Sequence, residues 1–247
     1  MMLGDVWTIT RRELLRYQSE RLFLLAQVLL PLLAILVVGF GVGGSVGNGL
    51  DYTSFLGSGV LMLLVASGAL GGGYTLIEDV QRGFLRPILV APVSRTSIVL
   101  GKAIARLLLS GLLAAVLITL LAFFTRIGIH APLTVVATLI AVTFGFVSMG
   151  ILLASSLRTV ESFRTLATLL TFPVYLVSGM FLPIATMPAP LKALALANPF
   201  SYAVDLFRYG TTGLAELPLW LDALVVLAIA VVPTALAIRV FETRLTD

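Results

Sequence analysis

The chain has 247 residues, of which 59% are hydrophobic and only 11% are charged, and its mean hydropathy is +1.10. Soluble domains carry about 25% charged residues, so this composition excludes a soluble globular protein. The absence of cysteine excludes disulfides and thiolate metal sites, and the single histidine, His130, cannot form a histidine-based metal site alone. Because only helices of sufficient length satisfy their own backbone groups in lipid, we expect an all-α integral membrane protein.

The first segment, residues 1–21, is predicted to be a basic amphipathic helix that lies in the membrane interface. On a helix its apolar side chains tend towards one side and its arginines towards the other. The apolar set comprises Trp7, Leu14, Leu15 and Leu22, and the basic set comprises Arg11, Arg12, Arg16 and Arg21. An ordinary charged leader before a first membrane span is the alternative. Glu13 and Glu20 argue against a cleaved signal peptide.

Six predominantly apolar segments have close to the ~20 residues that a helix needs to cross a bilayer. They are Leu22–Phe40, Phe55–Ile77, Ile104–Phe124, Leu133–Leu157, Leu166–Leu182 and Leu219–Ile238. Thirteen cations fall on one side of these spans and three on the other. Because cationic loops remain in the cytoplasm, both termini are expected there, in a multi-pass protein of the cell (cytoplasmic or inner) membrane.

Small residues recur at four-residue spacing in the spans, a pattern that allows helix backbones to approach closely in lipid. The pairs are Gly68–Gly72, Ala69–Gly73, Gly111–Ala115 and Gly150–Ala154. They are compatible with packing inside one chain and with a dimer interface, and the sequence does not choose between the two.

An outer hairpin, residues 183–210, is predicted between the fifth and sixth spans. Ala189–Ala197 is apolar but too short to cross, and prolines bound it, which indicates a re-entrant or interfacial helix. Further along, Asp205 and Arg208 have the i,i+3 spacing of a helical ion pair.

Ionisable residues are nearly absent from the middle of the spans, and Asp222 and Glu78 fall near span ends, where we expect water to reach them. A secondary carrier usually has charged or polar groups at the midplane, and an integral-membrane enzyme needs acid–base or metal groups. A channel, a secondary carrier or an enzyme therefore remains an alternative only. Side chains that could line a transport pathway are Tyr74, Phe172, Tyr175 and Phe181.

The longest charged segment between spans, residues 78–103, is predicted to be a cytoplasmic loop. It contains a short apolar stretch between Pro87 and Pro92 with charged residues before and after it. Short amphipathic helices of this kind dock into grooves of partner proteins. The alternative is a plain interfacial loop anchored by arginines.

Two long motifs resemble the ABC-2 type transporter permeases, most closely the daunorubicin-resistance branch. Arg82–Lys102, RGFLRPILVAPVSRTSIVLGK, is similar to the first cytoplasmic loop of that family. Ser178–Pro183 followed by Leu191–Arg208 is similar to its outer hairpin, with the hairpin residues Asn198, Pro199, Tyr202, Asp205 and Arg208. The resemblance covers essentially the whole chain, as a single transmembrane domain over residues 1–247.

The resemblance implies a permease subunit without its own ATPase or catalytic site, which pairs with a second copy or a paralogue. A separate nucleotide-binding subunit would bind ATP and Mg²⁺, and this chain would bind no cofactor, metal or nucleic acid. The cargo would be amphipathic or lipid-like: a drug, a lipid or a glycoconjugate. The matching loop implies a coupling helix, whose residues here are Glu78, Asp79, Arg82, Gly83, Leu85, Leu89 and Arg95. Pro87 departs from the family pattern, in which an acidic residue is common at this position, and could end the helix one turn early.

Overall fold

The computed structural model describes residues 2–18, 21–43, 45–46, 50–81, 95–125, 127–157 and 159–243. Within this part of the chain the fold is helical, apart from a two-residue antiparallel ladder that pairs Ser45–Val46 (β1) with Leu50–Asp51 (β2). This confirms the all-α prediction.

The helices follow in chain order, and most of them are longer than ten residues. They are α1 (Met2–Gln18), α2 (Arg21–Val42), α3 (Tyr52–Leu70), α4 (Gly72–Gln81), α5 (Arg95–Ala122), α6 (Pro132–Ser155), α7 (Val160–Leu176), a 3₁₀ turn (Ile184–Thr186), α8 (Ala189–Ala197), α9 (Pro199–Thr212) and α10 (Leu219–Thr243).

Five segments are long and apolar enough to cross a membrane, among the residues that the structure describes. They are Leu24–Val42, Tyr52–Asp79, Leu100–Ala122, Pro132–Ser155 and Leu219–Val240. The predicted fifth span corresponds to α7, whose 17 residues end at Leu176, before Leu182. At 1.5 Å per residue α7 is about 25 Å long, so the count of six spans stays a prediction.

Helix α6 lies at the centre of the fold and packs against α3, α4, α5, α9 and α10. Val142 and Val147 on α6 are fully buried in the core. By contrast, only 11% of the membrane-spanning part of α2 and only 17% of that of α10 are buried inside the protein. The apolar surfaces of these two helices are therefore left for lipid or for another protein chain.

Glycines allow α4 and α6 to cross in backbone contact. A Cβ atom at Gly73 would lie 2.2 Å from the carbonyl oxygen of Gly150, and one at Gly150 would lie 2.3 Å from that of Leu70. Gly68 and Gly111 have no such neighbour within 4 Å. The small-residue pattern thus corresponds to helix packing inside the chain at Gly73 and Gly150. At Gly68 and Gly111 no other part of the described chain packs against the glycine.

The predicted N-terminal and hairpin elements form helices close to the expected bounds. Helix α1 presents Trp7 and Leu15 as exposed side chains but buries the polar residues Thr10 and Glu13 against the rest of the protein. Helix α8 covers Ala189–Ala197, the residues predicted for the short hairpin helix. The interfacial placement of both elements stays a prediction.

Candidate functional site

The first buried group of charges surrounds Lys102 on α5. Its Nζ donates to Glu13 Oε1 at 2.9 Å, to Asp79 Oδ2 at 3.0 Å and to Thr75 Oγ1 at 3.0 Å. An ammonium group has three N–H donors, so this lysine is fully satisfied although its side chain is only 4% exposed. We call Glu13, Asp79, Lys102, Arg12, Arg16 and Glu78 the Lys102 cluster.

Two arginines of α1 extend this cluster towards the protein surface. Arg12 pairs with Asp79, and Arg16 pairs with Glu78. Nearby, the hydroxyl of Thr10 donates to the carbonyl of Gly101 at 3.1 Å. The ion pairs tie α1 to the end of α4 and to the first turns of α5, the two helices that flank residues 82–94.

The structure corrects the expected extent of the charged loop 78–103. Glu78 and Asp79 belong to α4, and Arg95 begins α5, so helix occupies both ends of the predicted loop. Lys102 does not lie in an exposed loop. It is buried and ion-paired, because three side chains from α1 and α4 accept the hydrogen bonds that its ammonium group would otherwise donate to water. The predicted coupling residues Arg82, Gly83, Leu85 and Leu89 lie outside the described residues.

The second buried group of charges surrounds Arg208 on α9. Its Nη1 donates to Glu216 Oε1 at 3.2 Å and lies 3.8 Å from Asp205 Oδ1. Its Nη2 donates to the carbonyl of Gly179 at 2.9 Å, and its Nε donates to Ser58 Oγ at 3.2 Å. The guanidinium carbon also lies 3.7 Å from the centre of the Phe55 ring, which adds a cation–π contact. We call Asp205, Arg208, Glu216 and Asp222 the Arg208 cluster.

The two clusters lie at opposite ends of the path formed by α3 and α4. Ser58 contacts the Arg208 cluster, and Asp79 belongs to the Lys102 cluster. The helical rise between these two residues is about 30 Å, close to the ~30 Å of a hydrocarbon core. The charges of each cluster are therefore expected near opposite membrane boundaries.

The predicted hairpin residues come together around the start of α9. Asn198 caps this helix by accepting from the amide of Phe200 at 3.0 Å, and its own amide donates to the carbonyl of Val174 on α7 at 2.7 Å. Pro199 occupies the first turn, where its missing N–H costs nothing. The hydroxyl of Tyr202 donates to the carbonyl of Leu196 at 2.7 Å and so joins α9 to α8.

Burial shifts the titration of the Arg208 cluster. The loss of water around Arg208 lowers its pKa to about 10, although Asp205 and Glu216 act in the opposite direction. Burial also raises the pKa of Asp205 and of Glu216 above their ordinary values, against the opposing effect of backbone hydrogen bonds and of Arg208. The cluster is therefore a desolvated site and not a surface ion pair.

Several members of the Arg208 cluster, and several hydrogen-bond partners of Arg208, were not predicted from the sequence. Glu216 follows α9 in a loop, and Ser58 and Gly179 come from distant parts of the chain. Asp222 was expected near water, but it has no exposed surface. The i,i+3 spacing of Asp205 and Arg208 was the one sequence signal for this site, and that pair is confirmed.

The four side chains suggested for a pathway do not share one cavity. Tyr74 lines a cavity of about 220 Å³ with Gln27 and Arg106, and the guanidinium carbon of Arg164 lies 5.4 Å from its ring centre. Tyr175 is buried against Phe200, with ring centres 4.9 Å apart. Two others, Phe172 and Phe181, are exposed on the protein surface. Their pathway role stays a prediction.

An apolar groove of about 500 Å³ lies between α6, α7, α9 and α10. Side chains that line it include Phe146, Met149, Leu170, Val174, Leu224 and Val232. Its surface is almost free of polar atoms, so it suits hydrocarbon better than a polar solute.

Long apolar helices, with charges gathered into two buried clusters at opposite ends, define a multi-pass membrane protein. The ABC-2 type transporter model matches residues 4–211, and the chain belongs to this family.

Named relatives agree with the family assignment. The chain is 28% identical over 219 residues to the putative transport permease ycf38 of Porphyra purpurea, a match that covers 84% of this chain and 74% of the relative. It is 26% identical to the inner membrane transport permease YadH of Escherichia coli K12, over 88% and 85% of the two chains. It is also 26% identical to the daunorubicin resistance ABC transporter permease protein DrrB1 of Streptomyces coeruleorubidus, over 82% and 74%. The chain is thus the membrane subunit of an ABC transporter.

Proposed function

We propose that this permease exports an amphipathic or lipid-like substrate with energy from a separate ATPase subunit. The partner would bind ATP and Mg²⁺ and dock on residues 78–103, and this chain would contribute no cofactor and no catalytic residue. Coupling would involve Glu78 and Asp79 together with Arg82, Gly83, Leu85, Leu89 and Arg95.

The observation that supports this coupling role is the Lys102 cluster. Asp79 lies three residues before the segment 82–94, and Lys102 lies eight residues after it; the two side chains are joined by a 3.0 Å ion pair. Helix α1 is bound to the same pair through Glu13. A force applied to the segment between them would therefore move α1, α4 and α5 together, because their ends are connected by buried charge-assisted hydrogen bonds.

In this proposal both termini and the Lys102 cluster face the cytoplasm, and the hairpin 183–210 lies on the outer side. Helix α7 would complete the sixth span, and α1 would lie in the inner interface of the cell membrane. The largely uncovered α2 would contact lipid or a second permease subunit, either a copy of this chain or a paralogue.

The apolar groove beside α10 and the long, predominantly apolar spans support a cargo with hydrocarbon parts. A channel, a secondary carrier or an integral-membrane enzyme is the alternative, but membership of the ABC-2 family favours an ATP-driven permease.

Replacement of Leu85 and Leu89 by aspartate tests the proposed docking segment. A candidate ABC ATPase subunit would be co-expressed with this chain, and its recovery with the purified permease would be measured. We expect L85D and L89D to reduce that recovery at least about tenfold, since an acidic group cannot be buried in an apolar groove without loss of affinity. Leu194→Asp on the exposed face of α8 is the matched control and should leave the recovery unchanged.

Transport itself would be measured in vesicles that contain both subunits and a fluorescent phospholipid. ATP-dependent movement of the probe in wild type, and its loss in L85D, would support the proposal. If both aspartate variants bind the ATPase normally and transport at the wild-type rate, the segment does not couple the two subunits.

A further inference from the structure

A polar cavity of about 220 Å³ lies between α2, α3, α4 and α5. Its lining includes Gln27 of α2, Tyr74 of α4 and Arg106 of α5, and we call it the Arg106 cavity. Arg106 belongs to the apolar span Leu100–Ala122 and comes four residues after Lys102, a rise of about 6 Å along the helix. The cavity therefore lies about one helical turn deeper in the bundle than the ion pairs of the Lys102 cluster.

Two guanidinium groups give the Arg106 cavity a positive charge. Arg106 is only 6% exposed, and its guanidinium carbon lies 5.9 Å from the centre of the Tyr74 ring. The guanidinium carbon of Arg164, on α7, lies 5.4 Å from the centre of the same ring. An ionisable side chain inside a membrane span is costly and usually belongs to a ligand or substrate site. The charge of this cavity suits an anion.

Two glycines keep the Arg106 cavity open. A Cβ atom at Gly71 would lie 3.1 Å from Cε1 of Tyr74 and 3.5 Å from Nη2 of Arg106. Gly68 also lines the cavity, and a Cβ atom there would meet no other atom within 4 Å. The lack of a side chain at both positions leaves space beside the guanidinium group for a ligand.

A narrow apolar cleft continues from the Arg106 cavity along α3 and α5. It shares Leu64, Gly68 and Arg106 with the cavity and extends to Leu117 on α5. Leu117 comes 11 residues after Arg106, a rise of about 16 Å towards the middle of the membrane. The other apolar walls of the cleft are Leu61, Val65, Leu109, Leu113 and Ala114. A cationic cavity joined to an apolar cleft matches a molecule with an anionic headgroup and a hydrocarbon chain.

We propose that the Arg106 cavity binds the phosphate headgroup of an anionic lipid-like amphiphile, whose hydrocarbon chain enters the apolar cleft. Arg106 donates to the phosphate oxygens, a pairing that suits the planar guanidinium group, and Arg164 adds a second positive charge nearby. Basic pockets between transmembrane helices bind anionic lipid headgroups in this way. As a cargo site it rests on the proposed export function, whereas binding alone requires neither the ATPase nor transport.

Lipid binding to the purified full-length permease in a neutral detergent tests this proposal. The probe is phosphatidylglycerol with a fluorescent chain, and its affinity is measured by fluorescence anisotropy. Phosphatidylcholine with the same fluorophore is the comparison, since its choline cation cancels the charge of its phosphate. We expect the wild-type protein to bind phosphatidylglycerol about tenfold more tightly. Equal affinities for the two lipids would overturn the proposal, and this arm requires no variant to fold.

Arg106→Gln should abolish the preference for phosphatidylglycerol, because it removes the buried cation. Arg239→Gln is the matched control, since Arg239 is exposed near the end of α10, away from the cavity, and it should keep the wild-type preference. Gly68→Leu retains Arg106 but fills the cavity, so it should also weaken phosphatidylglycerol binding. A folded R106Q protein with the wild-type preference, or unchanged affinity in G68L, would overturn the proposal.

Inorganic phosphate has the charge of the headgroup but no chain, so it separates a free anion from a lipid as the ligand. At about 1 mM it screens charges only weakly, and we expect it to leave the binding of phosphatidylglycerol unchanged. Displacement of the lipid at that concentration would overturn the assignment of the cleft to a hydrocarbon chain. Because no ATPase is present in these measurements, a failed transport assay would not alter their outcome.

Discussion

The Lys102 cluster and the Arg208 cluster differ in how their buried charges are compensated. In the first, three cations face three carboxylates, and the central ammonium uses all of its donors. In the second, one guanidinium pairs with two carboxyls, and the third carboxyl, Asp222, has no hydrogen-bond donor. A balanced cluster compensates each of its buried charges, whereas the unbalanced one keeps the carboxyl of Asp222 buried without a hydrogen-bond partner.

The difference also concerns which elements are joined. The Lys102 cluster connects α1, α4 and α5 next to the proposed docking segment. The Arg208 cluster connects α3, the turn after α7, the hairpin helix α9 and the loop before α10. The first is thus suited to transmit movement between helices, and the second to fix the opposite end of the bundle.

The largest effect is expected from Arg208→Met. This change removes the one cation of the Arg208 cluster within the described chain. Asp205 and Glu216 would remain buried without their counter-ion, and we expect a loss of about 5 kcal/mol in unfolding free energy. Denaturant unfolding in detergent micelles would measure it. Because burial raises the pKa of both carboxyls, lowering the pH should protonate them and restore part of the loss.

Arg208→Lys is the matched variant, since it keeps the charge but cannot reach the separate acceptors at Ser58, Gly179 and Glu216. We expect it to lose about 2 kcal/mol. An R208M protein as stable as wild type would show that the guanidinium is not needed to compensate these carboxyls.

Lys102→Met should cost less, about 3 kcal/mol, because Arg12 still pairs with Asp79 after the change. Glu13 would lose the ammonium partner that compensates it. The same unfolding measurement applies, with Lys192→Met as the control, since Lys192 is exposed on α8. If K102M and K192M are equally stable, the buried ammonium contributes nothing to the fold.

Arg12→Gln should have the smallest effect, about 0.5 kcal/mol, since the side chain is 41% exposed and solvent screens its pair with Asp79. The difference from wild type should decrease further at about 1 M salt. A loss as large as that of K102M would mean that the edge of the cluster matters as much as its buried centre.

Local patterns in the sequence determined much of the fold. Composition and hydropathy identified an all-α membrane protein, the prolines predicted the short helix Ala189–Ala197, and spacing predicted the pair of Asp205 and Arg208. Each of these features depends on residues within a few turns of one another, so their periodicity is visible along the chain.

Tertiary structure alone decided which charges meet. Lys102 and Glu13 are 89 residues apart, and Ser58 and Arg208 are 150 residues apart. From the sequence, Asp222 was expected to be in contact with water and Lys102 to lie in a loop. In the structure both residues are packed where water is excluded. Hydrophobic periodicity specifies which face of a helix turns inwards, and it does not specify which distant polar groups meet there, because that depends on how the helices cross.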